Sequence, residues 1–290
     1  MPARSGAVFE RALARFRARL PQGVLRGPGP APTSESTPGK APALLALHGF
    51  GATPDEVGIV TAAAARLGLA TRAPLLPGHG RSVRDLEQMR FEDWRAAALD
   101  ALDALSREAP VICAGLSLGS LLCLDLALER PRAVAGLVLL ANALWIRRPY
   151  PDFALRAVGA ARIGDFWVPK GRPGIADVEA RREHSSYDAD PVHAAVSVMR
   201  AGDRLRKRLG EIRCPALIVH GAKDRICPLS NAWRAAQALG TTDVRVIVLP
   251  RSEHVITRDY DRDELARNVT EFLSNLARRA GGAEAAGAAP

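Results

Sequence analysis

The sequence predicts an α/β fold, a mostly parallel central sheet covered by helices on both faces. Short apolar runs alternate with longer helical patterns from about residue 43 onward, which implies βαβ units buried on both sides. One of these runs, VICAGL (111–116), passes through Leu-Ser-Leu-Gly into an apolar helical pattern, the strand–turn–helix context of a strained serine turn. A third observation bounds the fold: the stretch 143–213 breaks the alternation, being rich in Arg and Pro and poor in apolar strand runs.

Taken in order, ALLAL (43–47) is a short strand bounded by Pro42 and Gly49, and a helical pattern follows from Pro54 to Leu67. Ala70–Ala73 is the second strand, and PLLPGHGRS (74–82) is a Pro/Gly loop. Phe91–Glu108 is helical, with Trp94, Ala98, Ala101, Leu102 and Leu105 on one face. VICAGL precedes a helix over Leu118–Arg130 that Pro131 stops, and VAGLVLL (134–140) is the next strand. PALIVH (215–220), a helix from Ser230 to Leu239, VRVIVL (244–249) and a helix from Asp261 to Leu276 close the pattern. Right-handed crossovers follow from strand twist.

This division gives an N-terminal extension and linker at 1–42, a core formed by 43–142 and 214–279, a mainly helical cap at 143–213, and a disordered tail at 280–290. The linker contains GPGPAPTSESTPGKAP (27–42), and the tail offers nothing to bury. The cap is enriched in aromatics: Trp145, Tyr150, Phe153, Phe166, Trp167 and Tyr187.

The net charge of +9 is almost all arginine, yet no dense basic block is interleaved with aromatics, so no nucleic-acid partner is expected. Phe9, Leu13, Phe16 and Leu20 recur at helical spacing among arginines. Residues 1–22 therefore offer at most a weak peripheral membrane contact, against the readings of a helix packed on the body or a loosely held extension. No apolar stretch is long enough to span a bilayer, and the N-terminus lacks the apolar core of a secretory signal. Cys113, Cys123, Cys214 and Cys227 form no C-x-x-C pair and read as reduced thiols, which suits the cytoplasm.

Candidate chemistry begins at Gly115-Leu116-Ser117-Leu118-Gly119. A serine on a sharp strand-to-helix turn needs small neighbours for close backbone approach, and the turn aims a helix N-terminus at the reacting centre. A serine hydroxyl is a weak nucleophile, so it needs a base oriented by a third group. With the serine on such a turn, acid and then base follow in chain order. Of the histidines 48, 79, 184, 193, 220 and 254, only His254 lies on the loop between the last strand and the last helix. His48 and His220 read as structural. Asp224, in the turn after PALIVH, is the candidate acid. The oxyanion donors are expected to be the N–H groups of Leu118, which follows the nucleophile, and Phe50, in the loop after the first strand.

LALHGFGATPDEV, PLLPGHG, AGLSLGS, HGAKDRICP and SEHVITRDYDRDEL, in this order, resemble the bacterial carboxylesterase and monoacylglycerol lipase family of α/β-hydrolases. The likeness covers roughly residues 43–140 and 214–276 and leaves the cap and the first 40 residues unmatched. It implies the α/β-hydrolase fold and hydrolysis of short- to medium-chain esters or monoacylglycerols through an acyl-enzyme, with no cofactor and no metal. It also implies Ser117, Asp224 and His254 as catalytic residues, Phe50 and Leu118 as oxyanion donors, and a small-molecule ester or lipid as the partner. Two departures stand out: Ser120 where Gly is frequent, and Glu253 before the histidine where Gly is usual. A carboxylate at 253 is expected to raise the pKa of His254. The cap aromatics are expected to hold the acyl chain. Competing readings are a thioesterase, C–C bond hydrolase or acyltransferase on the same fold, or a non-catalytic ligand-binding protein.

Overall fold

The computed structural model describes residues 34–147, 167–184 and 186–287. Nine strands are found among them: β1 (Glu35–Thr37), β2 (Lys40–Leu47), β3 (Leu69–Ala73), β4 (Val111–Leu116), β5 (Val134–Leu140), β6 (Trp167–Pro169), β7 (Ala189–Pro191), β8 (Ala216–Gly221) and β9 (Val244–Leu249). Seven of them form one sheet in the order β1-β3-β2-β4-β5-β8-β9, parallel throughout except for β1.

Both faces of the sheet are covered, because successive side chains on a strand point to opposite sides. Leu45 and Leu47 of β2 face one apolar cluster with Trp94, Leu102 and Leu121. Leu44 and Ala46 face the other, with Val60, Leu265 and Leu273. The helix Leu118–Glu129 is apolar on nearly every side and packs beneath the sheet against the helix Phe91–Leu105. The parallel strands end at one rim, and the loops after β2, β4, β8 and β9 leave from that rim.

Three expectations need correction. The predicted linker holds β1, which pairs antiparallel with β3 through Glu35↔Ala73 and Thr37↔Thr71, and β2 begins at Lys40 rather than Ala43. Glu35–Thr37 is exposed at the sheet edge, so its pairing is all backbone and leaves no apolar pattern to read. The last helix does not stop at Leu276 but runs to Gly287, into the tail read as disordered; its added Ala and Glu residues are good helix formers. Between β5 and β8 the described chain has the helices Val178–Glu183 and Val192–Leu205, and also an unforeseen antiparallel pair, β6 with β7.

The N-terminal pattern at 1–22 and the aromatics Tyr150, Phe153 and Phe166 lie outside the described residues. No described helix is long and apolar enough to cross a membrane. All four cysteines are free thiols; Cys113, Cys123 and Cys227 are buried.

Candidate active site

Ser117 follows β4 directly, with φ 55 and ψ −109. A positive φ is costly for a residue with a Cβ, so surrounding contacts must hold it there. They do so by close backbone approach. A Cβ on Gly115 would lie 2.2 Å from the Gly119 carbonyl, and one on Gly119 would lie 2.0 Å from the Leu47 carbonyl oxygen. No side chain larger than hydrogen fits at either position. Ser120 suits its place: its hydroxyl donates to Ser117 O at 2.6 Å and accepts from Ala143 N at 3.4 Å. Ser117 caps the helix whose first residue is Leu118, so the helix N-terminus, with its partial positive charge, faces the serine.

Asp224 lies in the turn after β8 and His254 in the loop after β9. The two loops are pressed together, since a Cβ on Gly221 would lie 2.0 Å from Glu253 O. His254 Nδ1 lies 2.8 Å from Asp224 Oδ2. Asp224 Oδ1 accepts from the backbone N–H groups of Ile226 and Cys227 at 2.8 and 2.9 Å. His220 Nε2 lies 3.2 Å from the same Oδ2 and 3.2 Å from Cys227 O. Burial alone would push the Asp224 carboxyl upward, but the His254 imidazolium and these hydrogen bonds hold it well below the usual carboxylate range. Burial pulls His254 down, while the charge and hydrogen bond of Asp224, then the charge of Glu56, outweigh it and leave the imidazole above its ordinary value.

The rise at His254 therefore does not come from Glu253, contrary to expectation. Glu253 precedes the histidine in sequence, but its side chain turns to the cap, where both carboxylate oxygens pair with Arg172. The carboxylate is matched to a guanidinium instead of facing the imidazole. Glu56, distant in sequence, takes the role assigned to Glu253.

The loop after β2 is equally tied. Gly49 N donates to Glu56 Oε2 at 2.7 Å, and His48 Nδ1 lies 2.9 Å from Gly49 O. His48 Nε2 accepts from Leu76 N at 3.1 Å, which places the ring proton on Nδ1. Burial lowers the pKa of His48 to about 4, consistent with a neutral ring.

Phe50, Ser117, Leu118 and His254 line one cavity of about 260 Å³, and Asp224 stands behind His254. The rest of the wall is apolar at Ile146, Ala195, Val198, Met199 and Ile226 and polar at Glu56, Lys170, His184 and Asp190. Of the cap aromatics, Trp167 and Tyr187 are buried in the core, and Trp145 lies beneath the guanidinium of Arg234, 4.0 Å away. Among the described residues of this segment, aliphatic side chains and Met199 line the site. Asp224, Cys227 and His254 bring potential metal-ligand atoms within 4.8 Å of one another. The carboxylate and imidazole are already spent on each other, however, and burial holds the Cys227 thiol protonated.

Sequence reasoning missed Glu56, His220 and Lys170. His220, read as structural, has a position that pointed to more: it is four residues before the acid, in the same strand-end turn. Lys170 and Glu56 carried no such signal. In TPDEV, Glu56 reads as an ordinary carboxylate at a helix start.

Comparison with known proteins sets this geometry in context. The model of the family described as serine aminopeptidase S33 matches residues 40–261. The thermostable monoacylglycerol lipase of Bacillus sp. (strain H-257) is 28% identical over 239 residues, covering 81% of this chain and 91% of that protein. The pimeloyl-[acyl-carrier protein] methyl ester esterase of Aromatoleum aromaticum (strain DSM 19018 / LMG 30748 / EbN1) is 31% identical over 221 residues, covering 68% of this chain and 85% of that protein. A solved structure from the metagenome-derived lipolytic enzymes LipS and LipT superposes with a TM-score of 0.78 at 24% identity, covering 85% of this chain and 98% of that one.

Proposed function

This chain belongs to the serine aminopeptidase S33 family of hydrolases, and from that premise we propose that it cleaves carboxylic esters of short- to medium-chain acyl groups or monoacylglycerols through an acyl-enzyme. The observation that carries the reading is the Asp224–His254 pair at 2.8 Å, set beside a serine held at positive φ in the same cavity. Relatives named as a monoacylglycerol lipase and a methyl ester esterase favour ester substrates.

In this reading His254 takes the Ser117 proton as the hydroxyl oxygen attacks the ester carbonyl carbon. Asp224 holds the imidazole with its proton on Nδ1 and offsets the imidazolium charge as it forms. The N–H groups of Phe50 and Leu118 bind the oxyanion, each worth roughly 3 kcal/mol in the transition state. His254 returns the proton to the leaving alcohol. Water, deprotonated by the same imidazole, then releases the acid and restores Ser117. The acyl chain lies against Ile146, Val198, Met199 and Ile226. The four reduced thiols suit a cytoplasmic protein.

The test is hydrolysis of p-nitrophenyl esters from acetate to laurate by the native protein and by Ser117→Ala. Each CH₂ buried against the apolar wall is worth ~0.8 kcal/mol, or roughly fourfold in kcat/KM, until the cavity is filled. A graded rise followed by a fall, abolished by Ser117→Ala, is expected. A native protein that neither turns over these esters nor reacts with a fluorophosphonate at Ser117 would fit the non-catalytic binder instead. Labelling without ester turnover would move the assignment to the thioester, C–C bond or acyl-transfer chemistries.

A further inference from the structure

Glu56 is a buried carboxylate that the proposed reaction does not use. It sits in the 3₁₀ turn Pro54–Val57, 4% exposed, and lines the same cavity as Ser117 and His254. Removing a carboxylate from water is costly unless its oxygens find partners. Here Oε2 accepts the N–H of Gly49 at 2.7 Å. The remaining space is tight: a Cβ on Gly49 would lie 2.8 Å from that oxygen and 3.4 Å from Leu116 Cδ2.

The consequence lies one residue further along. A peptide unit is planar, so Gly49 C=O and Phe50 N–H point in opposite directions from one rigid plate. His48 Nδ1 holds Gly49 O at 2.9 Å, and Ala52 N reaches the same oxygen at 3.3 Å. The Glu56 carboxylate holds the other end of the same glycine. Gly49 has no Cβ to limit its own φ and ψ, so external partners at both ends must set the direction of the Phe50 N–H.

We propose that Glu56 is a positioning residue of this hydrolase: its carboxylate clamps Gly49 N–H and thereby aims the Phe50 N–H at the oxyanion. The inference rests on the ester-hydrolysis reading for its kinetic arm alone. The charged and titratable groups facing Glu56 are His254 from the loop after β9, Lys170 from the cap and Asp55 from its own turn, and Arg258 donates to Asp55 O at 3.2 Å. Burial raises the Glu56 pKa, and the Gly49 N–H, His254 and Lys170 oppose the rise. An ionised Glu56 favours the imidazolium of His254, so it also sets where the base gains its proton.

Two variants separate the hydrogen bond from the charge. In Glu56→Gln the side-chain carbonyl still accepts from Gly49 N–H but the charge is gone; in Glu56→Ala both are lost. Hydrogen exchange of the Gly49 amide, read by NMR, needs no substrate. It is expected to speed up at least tenfold in Glu56→Ala and less than threefold in Glu56→Gln. On p-nitrophenyl butyrate at the pH plateau, Glu56→Ala is expected to lose about 30-fold in kcat with KM within threefold, less than the 10²–10³ of a fully deleted oxyanion donor. Glu56→Gln is expected to keep kcat within threefold, and in both variants the acid limb of kcat/KM moves to lower pH. The proposal is overturned if Gly49 exchange is unchanged in Glu56→Ala, whether or not the protein cleaves esters. It is equally overturned if Glu56→Ala keeps native kcat, if Gln is as damaging as Ala, or if the acid limb stays in place.

Discussion

The sheet rim and the cap above it are held by different forces. At the rim, backbone packs on backbone: Gly115 against Gly119, Gly119 against Leu47, and Gly221 against Glu253, each closer than a Cβ would allow. In the cap, charge holds chain to chain. Arg172 pairs with Glu253, Lys170 lies 3.5 Å from Asp190, and Arg262 lies 3.2 Å from Asp177. Asp259 gathers the N–H groups of Ala176, Asp177 and Glu253 at 2.8, 2.9 and 2.8 Å. Steric exclusion is indifferent to salt and pH, and it gives no partial answers. Ion pairs at a solvent edge are graded and screened. The rim packing is therefore expected to decide whether the proposed chemistry occurs, and the described cap contacts to decide how readily substrate reaches it.

The largest effect at the rim is expected from the Asp224 carboxylate. Asp224→Asn leaves the packing nearly unchanged but removes the group that, in the proposed mechanism, orients His254 and stabilises its cation. A loss on the order of 10⁴ in kcat is expected, about 5 kcal/mol at roughly 1.4 kcal/mol per tenfold. The pH profile gives a second reading. In the proposed mechanism His254 works as neutral imidazole, and its pKa is raised, so native kcat/KM is expected to fall on acidification through a value above the ordinary imidazole value of about 6.5. Without the Asp224 charge, burial wins and the acid limb moves to lower pH. A variant that keeps kcat within tenfold and the native acid limb would mean that Glu56 supplies the orienting charge instead.

The next largest effect is steric. Gly119→Ala places a methyl 2.0 Å from Leu47 O, with backbone on both sides and no flexible side chain to give way. Overpacking of this kind costs about 3 kcal/mol, or roughly 6–12 °C in Tm for a chain of this size. Circular dichroism melting measures it. A Tm within 2 °C of native would show that the rim tolerates side chains and that the contrast with the cap is overdrawn.

The rim was legible in sequence because steric demands leave residue signatures. Two glycines around a serine at a strand end single out Ser117, and chain order with places after strands single out Asp224 and His254. The structure sets both on the rim, in contact with each other and, for Ser117 and His254, on one cavity. β1 was missed because Glu35–Thr37 contributes only backbone to the sheet. β6 and β7 were missed because three-residue strands, each with a proline, show no period. Glu253 was misassigned because adjacency in sequence says nothing about where a side chain turns; its carboxylate pairs with Arg172 instead. Glu56 was missed for the complementary reason, since its partner Gly49 is a backbone N–H and leaves no mark at position 56.

The smallest effect is expected where the cap meets the base loop, and it tests whether the clasp governs access. Arg172 is 44% exposed along its side chain, while Glu253 is only 6% exposed. Deleting a partner of a fully buried pair costs roughly 3–5 kcal/mol, but water can reach the Arg172 end, so Arg172→Ala is expected to cost about 1 kcal/mol. Because Arg172 also donates to Ile175 O at 3.1 Å, and Gly174 O receives Val255 N at 2.9 Å, loosening it loosens the cap segment against His254. A Cβ on Gly174 would lie 2.8 Å from His254 Cβ, so this segment packs on the histidine and forms part of the cavity wall. Steady-state kinetics on a medium-chain p-nitrophenyl ester should show KM raised severalfold with kcat changed less than threefold. The native protein in high salt should move in the same direction, since the same pair is screened. If Arg172→Ala lowers kcat as steeply as Asp224→Asn does, the clasp positions the imidazole itself, and cap and rim form one mechanical unit.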